Sequence, residues 1–296
     1  MNLSDKTLPP TVLSLLFIPL AALASDDDVA SKKEQRAYVE TSYLIAPRQA
    51  GDFVLEGTQF DKKQKYSGAG FRYRLGDHQE SRIDVFVYPA GRMGSDQALE
   101  RGMQAFRADL KRAVDAGSYS NLVLADEQDF ATDGEPTLPV ATPAADDKEA
   151  LLQGIVSSGK RWMGRKLPMT LDLQPQGWPM HSRGYLFYKQ LYYYKIRASA
   201  AQERISSEEF DRLTDLAART LVPAIEVVNV GACADSTIYL DKDATPEEAA
   251  QALVTQAVEH QGYNCHASAA DAALEQKSAT ASVIDISYEP EEWRSE

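Results

Sequence analysis

Cysteine and histidine side chains near the C-terminal end of the chain are the first candidates for chemistry. Cys233, Cys265, His260 and His266 fall within one short stretch. Thiolates and imidazoles are ligands that zinc and copper favour, whereas two thiols in an oxidising compartment join as a disulfide. The spacing matches no known zinc finger. Two interpretations therefore remain, a disulfide and a metal site, and the path of the chain between the cysteines favours the first.

That path is set by a predicted strand and a predicted helix. Eight residues from Ala234 to Asp241 cover about 26 Å as strand, and a helix from Pro246 to Gly262 returns about 25 Å. A reversing connection between them brings Cys265 back beside Cys233. The sequence therefore predicts a disulfide that closes about 30 residues and contributes roughly 3–4 kcal/mol to the free energy of unfolding.

Aromatic and basic residues are concentrated between positions 184 and 199, which read GYLFYKQLYYYKIRAS. Such a segment would span about 50 Å as one strand, so we predict two strands that turn near Lys189 and Gln190. About half of the rings then face away from the core. They either cover the sheet beneath a helix or form an exposed face that binds a partner protein or a glycan. The candidate partner-binding residues are Tyr185, Tyr188, Tyr192, Tyr193, Lys189, Lys195 and Arg197.

Sequence motifs for catalysis fail on inspection. Residues 154–160 match the phosphate-loop spacing GxxxxGK, but Arg161 stands where Ser or Thr would hold magnesium. Neither the GxSxG elbow nor the HExxH zinc motif occurs. His78 and His181 lie in turn-like sequence, where we expect exposed, ordinary histidines. We therefore assign no catalytic, cofactor-binding or metal-binding residue and expect no cofactor.

An apolar segment near the N-terminus predicts export. Residues Thr11 to Ala24 read TVLSLLFIPLAALA and are followed at once by an acidic run. This length, with small residues at its end, is typical of a signal peptide and shorter than the roughly 20 residues of a spanning helix. We predict cleavage between Ala24 and Ser25, no membrane span in the mature chain, and a periplasmic or secreted location.

The distribution of charge divides the 296-residue chain, which carries a formal net charge of −13. This acidity argues against nucleic acid or an anionic membrane surface as a partner. Residues 231–296 hold 13 acidic and 3 basic side chains, against 30 and 27 in residues 25–230. We predict a larger domain over 25–230, interrupted by an exposed, proline-rich loop at 131–150, and an acidic module over 231–296.

Periodicity in the larger domain predicts an α+β fold, with an antiparallel sheet flanked by helices. Strands are indicated at 53–60, 70–75, 81–88, 121–125 and 165–173, besides the two tyrosine-rich strands. One helix is expected from a Ser95 cap to Gly117. Another follows Ser206-Ser207-Glu208-Glu209, whose pattern is that of a capping box, and is expected to stop at Pro223.

The acidic module reads as β-α-β, with a second, weaker helix over 268–277 before its last strand. Its first strand is expected at 237–240. Thr245-Pro246-Glu247-Glu248 then begins the main helix, and the last strand is expected at 283–288. The stripe of the main helix that we expect to be buried consists of Ala250, Leu253, Val254 and Ala257.

The element order of residues 40–225 resembles the PsbP-like fold. The resemblance is carried by VFVYPAG, a helix, a loop, YYYKIRAS and a closing helix. Proteins of that fold are mostly binding or assembly factors without catalysis, and they share no set of site residues. The export signal and the failure of every catalytic template predict a non-catalytic binding or assembly factor of the cell envelope, whose partner is a protein or a glycan. Two alternatives remain open, an envelope hydrolase whose site is assembled from distant residues and a periplasmic metal-handling protein.

Overall fold

A computed structural model describes residues 36–76, 78–132, 161–235 and 238–293, with the backbone alone at 78–81. The strands of these residues are β1 (Thr41–Pro47), β2 (Gln49–Ala50), β3 (Phe53–Phe60), β4 (Ala69–Leu75), β5 (His78–Pro89), β6 (Tyr119–Leu124), β7 (Gln128–Ala131), β8 (Met163–Leu173), β9 (Trp178–Lys189), β10 (Tyr192–Ala201), β11 (Glu226–Val230), β12 (Cys265–His266) and β13 (Ala281–Ser287). The helices are α1 (Ser95–Asp115), α2 (Ser207–Ala224), α3 (Pro246–Gly262) and α4 (Leu274–Ser278). The predicted α+β class is confirmed.

The main sheet has nine strands and is antiparallel throughout. Its order is β2-β3-β4-β5-β10-β9-β8-β6, with β7 paired to β8. The predicted alternation in β5 is confirmed, since Ile83, Val85 and Val87 are fully buried. One face of the sheet packs against α2 in the main core. The other face packs against α1, where Phe106 and Leu110 belong to a second core cluster.

The turn between the two tyrosine-rich strands lies where the sequence predicts it. Gln190 and Leu191 connect β9 to β10 with φ angles of 56° and 68°. Left-handed backbone at both central residues is the geometry of the two-residue hairpins whose twist matches the flanking strands. This turn fixes the register Tyr192↔Lys189 and Tyr194↔Phe187, and so it decides which rings share a face.

The two long helices of the larger domain begin as their sequences indicate, with one difference. Ser206 caps α2 in a complete capping box with Glu209, and Pro223 lies inside its last turn. The cap of α1 is Gly94 rather than Ser95, and no side chain bonds its first turn. The helix forms nevertheless, because its buried residues include Leu99, Met103 and Phe106, which follow one helical stripe.

A second sheet joins the two ends of the described chain. Its order is β12-β11-β1-β13, so β1 lies between β11 and β13 with antiparallel pairing to both. The predicted last strand is confirmed, and its Ile286 is buried together with Tyr288 just beyond it. Residues from Arg36 onward form one compact unit. The acidic segment after residue 230 therefore contributes a strand to a sheet that the larger domain begins.

Three features of the acidic segment differ from expectation. Ile238, Tyr239 and Leu240 are not part of a strand, since no strand of the described ranges pairs with them. The second helix is only the five residues of α4. No residue of α3 is buried. The expected buried stripe of α3 is therefore wrong, because no element of the described residues buries that side of the helix.

Candidate functional site

The tyrosine-rich strands place their rings inside the molecule. Tyr185 and Tyr192 are fully buried on the α2 side of the sheet. The hydroxyl of Tyr185 donates to Asp215 Oδ1 at 2.5 Å, and that of Tyr192 bonds Tyr288 at 2.6 Å. Tyr193 is 7% exposed and packs against α1 with the partly buried Tyr188. The exposed tyrosine face is therefore wrong, since α2 and the final segment cover the rings on one side of the sheet and α1 covers them on the other.

The three cations of the same set do different work. Lys189 is buried, and its Nζ donates to the carbonyls of Val222 and Ile225, both at 2.6 Å. These carbonyls end α2, where a cation is favourable. Burial lowers the pKa of Lys189 to about 7. Lys195 and Arg197 point to the α1 side, where both are only partly buried. Lys189 is thus a structural cap, whereas the other two reach a surface.

A charge network anchors α2 to the main sheet. Lys166 Nζ lies 2.9 Å from Asp211 Oδ1 and 2.7 Å from Asp215 Oδ1. Arg183 contacts both carboxylate oxygens of Asp211, at 2.7 and 3.0 Å. The Arg183 hydrogen bond in particular lowers the pKa of Asp211 to about 2. These ion pairs link β8 and β9 to α2 and so hold the helix on the sheet.

Sequence reasoning missed this network, although a signal was present. Lys166 and Arg183 interrupt the apolar runs of β8 and β9, two strands that are covered on both faces. A buried cation requires a carboxylate partner. The sequence offers several acidic candidates after Ser206, and only the packing of α2 selects Asp211 and Asp215 among them.

The predicted disulfide between Cys233 and Cys265 is present, with Cα atoms 5.7 Å apart. Both sulfurs are bonded to each other, which leaves neither thiolate available to a metal. His260 Nε2 bonds the Cys233 carbonyl at 2.6 Å, and His266 Nε2 bonds Asn264 Oδ1 at 3.1 Å. Within the described ranges, no three Cys, His, Asp or Glu side chains cluster as ligands would.

His181 does not lie in a turn. It belongs to β9, where its ring stacks on Phe210 with the ring centres 6.2 Å apart. Its Nδ1 is buried with no hydrogen-bond partner among the described residues, and burial lowers its pKa. His78 is the first residue of β5.

Three predicted segments lie outside the described residues: the expected signal segment with its Ala24–Ser25 cleavage point, nearly all of the 131–150 loop, and the 154–160 motif.

The clearest candidate site is an apolar surface on the acidic segment, which we call the α3 surface. Its exposed fractions are 39% at Ile238, 77% at Tyr239, 49% at Leu240 and 44% at Leu253. Leu253 and Ala257 are one helical turn apart, so they lie on the same side of α3. The sequence predicted an apolar stripe on this helix that includes Leu253 and Ala257, but it assigned that stripe to the core.

A glutamine side chain holds the two parts of the α3 surface together. Gln256 Oε1 accepts from the Tyr239 N–H at 3.0 Å, and Gln256 Nε2 donates to the Tyr239 carbonyl at 2.7 Å. The side-chain amide of Gln256 thus satisfies the backbone N–H and carbonyl of Tyr239, as the backbone of a neighbouring strand would. It explains why 238–240 runs along α3 without strand pairing, with its side chains left to solvent.

A cleft of about 540 Å³ continues the α3 surface toward the disulfide. Ile238, Tyr239 and Ala257 line one side. The remaining lining residues include Tyr38, Arg92, Cys233, Asp235, Glu259, His260 and Tyr263. Arg92 Nε donates to the Tyr263 hydroxyl at 3.3 Å, and Tyr263 in turn donates to Glu259. The cleft thus combines apolar walls with a few fixed polar groups, as binding sites do.

No helix of the described residues has the length and apolar character needed to cross a bilayer. Neither the protein-family models nor the curated proteins with which the chain was compared give a match.

Proposed function

We propose that this protein is an exported binding or assembly factor of the cell envelope, which recognises a partner protein through the α3 surface and catalyses no reaction. The observation that carries the proposal is the seventeen-residue helix α3, none of whose residues is buried. Helices in globular domains normally bury an apolar stripe. An exposed apolar patch with a polar rim is typical of an interaction site.

Charge identifies the kind of partner. Residues 231–296 hold 13 acidic and 3 basic side chains. Asp235 and Glu259 line the cleft, Asp241 follows Leu240 directly, and Asp243 comes two residues later. A segment of a partner protein that combines apolar side chains with Lys or Arg complements such a surface. The apolar groups supply the buried area, and the basic residues select the orientation.

Export is supported by two observations. The apolar segment from Thr11 to Ala24 has the length of a signal peptide, and the disulfide suits an oxidising compartment. The element order is also similar to that of PsbP-like proteins, most of which are binding or assembly factors. Mass measurement of exported protein is expected to give a chain that begins at Ser25, and an unprocessed N-terminus would contradict the export part of the proposal.

Site-specific crosslinking tests the docking surface. A photo-reactive phenylalanine analogue is placed at Tyr239, and a second variant carries it at Leu216, an exposed residue of α2. We expect one crosslinked partner from position 239 and not from position 216. The crosslinked peptide of that partner should contain apolar residues flanked by Lys or Arg. A crosslink to a second copy of this chain would instead assign the surface to self-association and overturn the proposal.

A matched pair of substitutions measures the contribution of α3. Leu253→Asp and Leu216→Asp change the same residue type at similar exposure, 44% and 48%. We expect Leu253→Asp to weaken binding of the purified partner at least tenfold, because a charge is then desolvated at the interface. Leu216→Asp should leave the dissociation constant within twofold. Equal effects of the two substitutions would show that α3 is not the interface.

A further inference from the structure

Helix α1 covers only part of its face of the main sheet. It packs against β8 and β9, where Leu167 and Leu186 join its core cluster. On the same face, β3, β4 and β5 form an open groove of about 470 Å³. We call this the sheet groove; it is lined by Glu56, Gly57, Thr58, Gln59, Gly70, Arg72, Arg82, Asp84 and Phe86. It shares no residue with the α3 surface.

Strand register extends the sheet groove toward α1. Asp84 of β5 pairs with Arg72 on one side and with Arg197 of β10 on the other. Phe86, two residues further, pairs with Gly70 and with Lys195. Residues directly opposite on antiparallel strands share a face of the sheet. Lys195 and Arg197, which the sequence singled out, therefore lie on the same face of the sheet as the groove, on the neighbouring strand β10 at its α1 side.

The charges that line the groove balance, with Arg72 and Arg82 against Glu56 and Asp84, and the excess of positive charge comes from further residues beside it. Asp84 accepts from both Arg72 and Arg82, at 3.0 and 2.6 Å. Two further ion pairs join Arg74 to Glu56 and Lys195 to Asp109. The five described cations are Arg72, Arg74, Arg82, Lys195 and Arg197, and the three described carboxylates are Glu56, Asp84 and Asp109. This local excess is notable on a chain whose net charge is −13.

Arg197 is the cation without a carboxylate among the described residues. Its Nε is buried and has no hydrogen-bond partner there, and its guanidinium lies 5.4 Å from the centre of the Phe106 ring. A buried N–H without a partner is costly unless a ligand or water completes it. A guanidinium presents its donors in a fork that matches a carboxylate. Arg197 is therefore suited to receive an anionic group that enters the groove.

The floor of the groove is shaped for a flat ring. A Cβ at Gly57 would meet nothing within 4 Å, and one at Gly70 would lie 3.4 Å from the Phe86 ring. Because neither glycine has a side chain, no side chain rises from the floor of the groove at these two positions near Arg72. Lys195 Nζ lies 5.7 Å from the centre of the Phe86 ring. An aromatic platform thus stands directly beside the cationic row.

We propose that the sheet groove binds an acidic oligosaccharide, with sugar carboxylates at Arg197 and Arg72 and a sugar ring over Phe86. A small inorganic ion would use neither the open length of the groove nor the aromatic platform. Carboxylates spaced along a sugar chain match a groove whose cations are separated by a ring and by two glycines.

Calorimetry with three probes tests this assignment. The probes are a galacturonate trimer, the neutral galactose trimer and inorganic tripolyphosphate. We expect the galacturonate trimer to bind with an affinity that falls as salt is raised. The neutral trimer should bind at least tenfold more weakly. Equal binding of the charged and neutral trimers, or no binding of the galacturonate trimer, would overturn the proposal.

Four variants, one of them a control, locate the site. Arg197→Glu should weaken the galacturonate trimer at least tenfold, whereas Arg212→Glu, a matched charge change on α2, should leave it within twofold. Where thermal unfolding shows that Arg197→Glu is not folded, Arg72→Gln at an exposed position replaces it, with the same expected direction. Phe86→Ala should weaken the galacturonate trimer but not tripolyphosphate. Equal effects of the Arg197 and Arg212 changes, or tripolyphosphate binding as tightly as the sugar, would exclude a sugar site here.

Discussion

Asp211 shows how one side chain joins three elements. It lies on α2 and accepts from Lys166 of β8 and Arg183 of β9. The side chains of these two cations are 8% and 4% exposed, so both depend on carboxylates for compensation. Lys166 also has Asp215, whereas Arg183 has no second carboxylate within the described ranges. The main cost of losing Asp211 therefore falls on Arg183.

The first prediction is that Asp211→Asn lowers the free energy of unfolding at pH 7 by about 3 kcal/mol, because a buried guanidinium loses its counter-charge. The pKa of Asp211 is lowered to about 2 in the folded protein. Its contribution is therefore present above the unfolded pKa, near 4, and is lost as pH falls toward 2. Urea unfolding of both proteins should show their difference shrinking over this pH range.

An exposed carboxylate of the same helix, α2, serves as the control. Glu208 pairs with Arg212 on the surface of α2, with side-chain exposures of 82% and 65%. Exposed pairs contribute little, so Glu208→Gln should leave the unfolding curve unchanged. A difference between wild type and Asp211→Asn that persists unchanged at pH 2 would mean that the carboxylate charge is not what anchors α2.

At the scale of elements, the disulfide fixes the far end of α3. Cys233 lies in a short helical turn, Ala232–Ala234, directly after β11, and Cys265 begins β12. The helix between them buries none of its own residues. Its attachment rests on the Gln256 clamp, on the His260 bond to the Cys233 carbonyl, and on this bridge. The α3 surface is thus held in place by few contacts.

The second prediction concerns this bridge. A Cys233→Ser, Cys265→Ser double variant should lose roughly 3–4 kcal/mol of the free energy of unfolding, because the unfolded chain regains the freedom of about 30 residues. Denaturant unfolding of wild type with and without reductant gives the same comparison. Hydrogen exchange should show faster amide exchange in α3 than in β9, since the helix has no buried packing of its own. Unchanged stability of the double variant would contradict this account.

At the scale of the whole molecule, the chain closes on itself through β1. This strand pairs with β11 on one side and with β13 on the other. Ile286, Tyr288 and Trp293 of the final segment are buried in the main core cluster. A boundary at residue 230 is indicated by composition, and whether 231–296 folds independently stays a prediction. The shared sheet argues that the larger domain needs this final segment.

The third prediction tests that dependence. A chain that ends at Ala279 lacks β13 and the buried aromatic residues after it. It should lose cooperative thermal unfolding, because β1 becomes an unpaired edge and the core loses Tyr288 and Trp293. Calorimetry of the truncated and full chains measures this. A truncated chain with an unchanged melting temperature would instead support an autonomous larger domain.

Local chemistry explains what the sequence by itself determined about this protein. Capping boxes at Ser206 and Thr245 began both helices where predicted, because a cap needs only neighbours along the chain. Strict alternation located β5. The expected bridge between Cys233 and Cys265 is present, although residues 238–240 do not form the strand on which its prediction relied. The α+β class followed from the order of these elements. Helix caps and strand alternation can be read from the sequence because each depends on a few consecutive residues.

Tertiary structure alone decided which faces are covered. Alternation in β9 and β10 shows that the rings point two ways, but only the docking of α1 and α2 buries Tyr185 and Tyr193 together. The stripe of α3 looks like any core stripe, yet the described residues bury none of it. Arg72 and Arg197 are far apart in sequence and become neighbours through Asp84. Burial and charge clustering depend on distant parts of the chain, and no local pattern contains them.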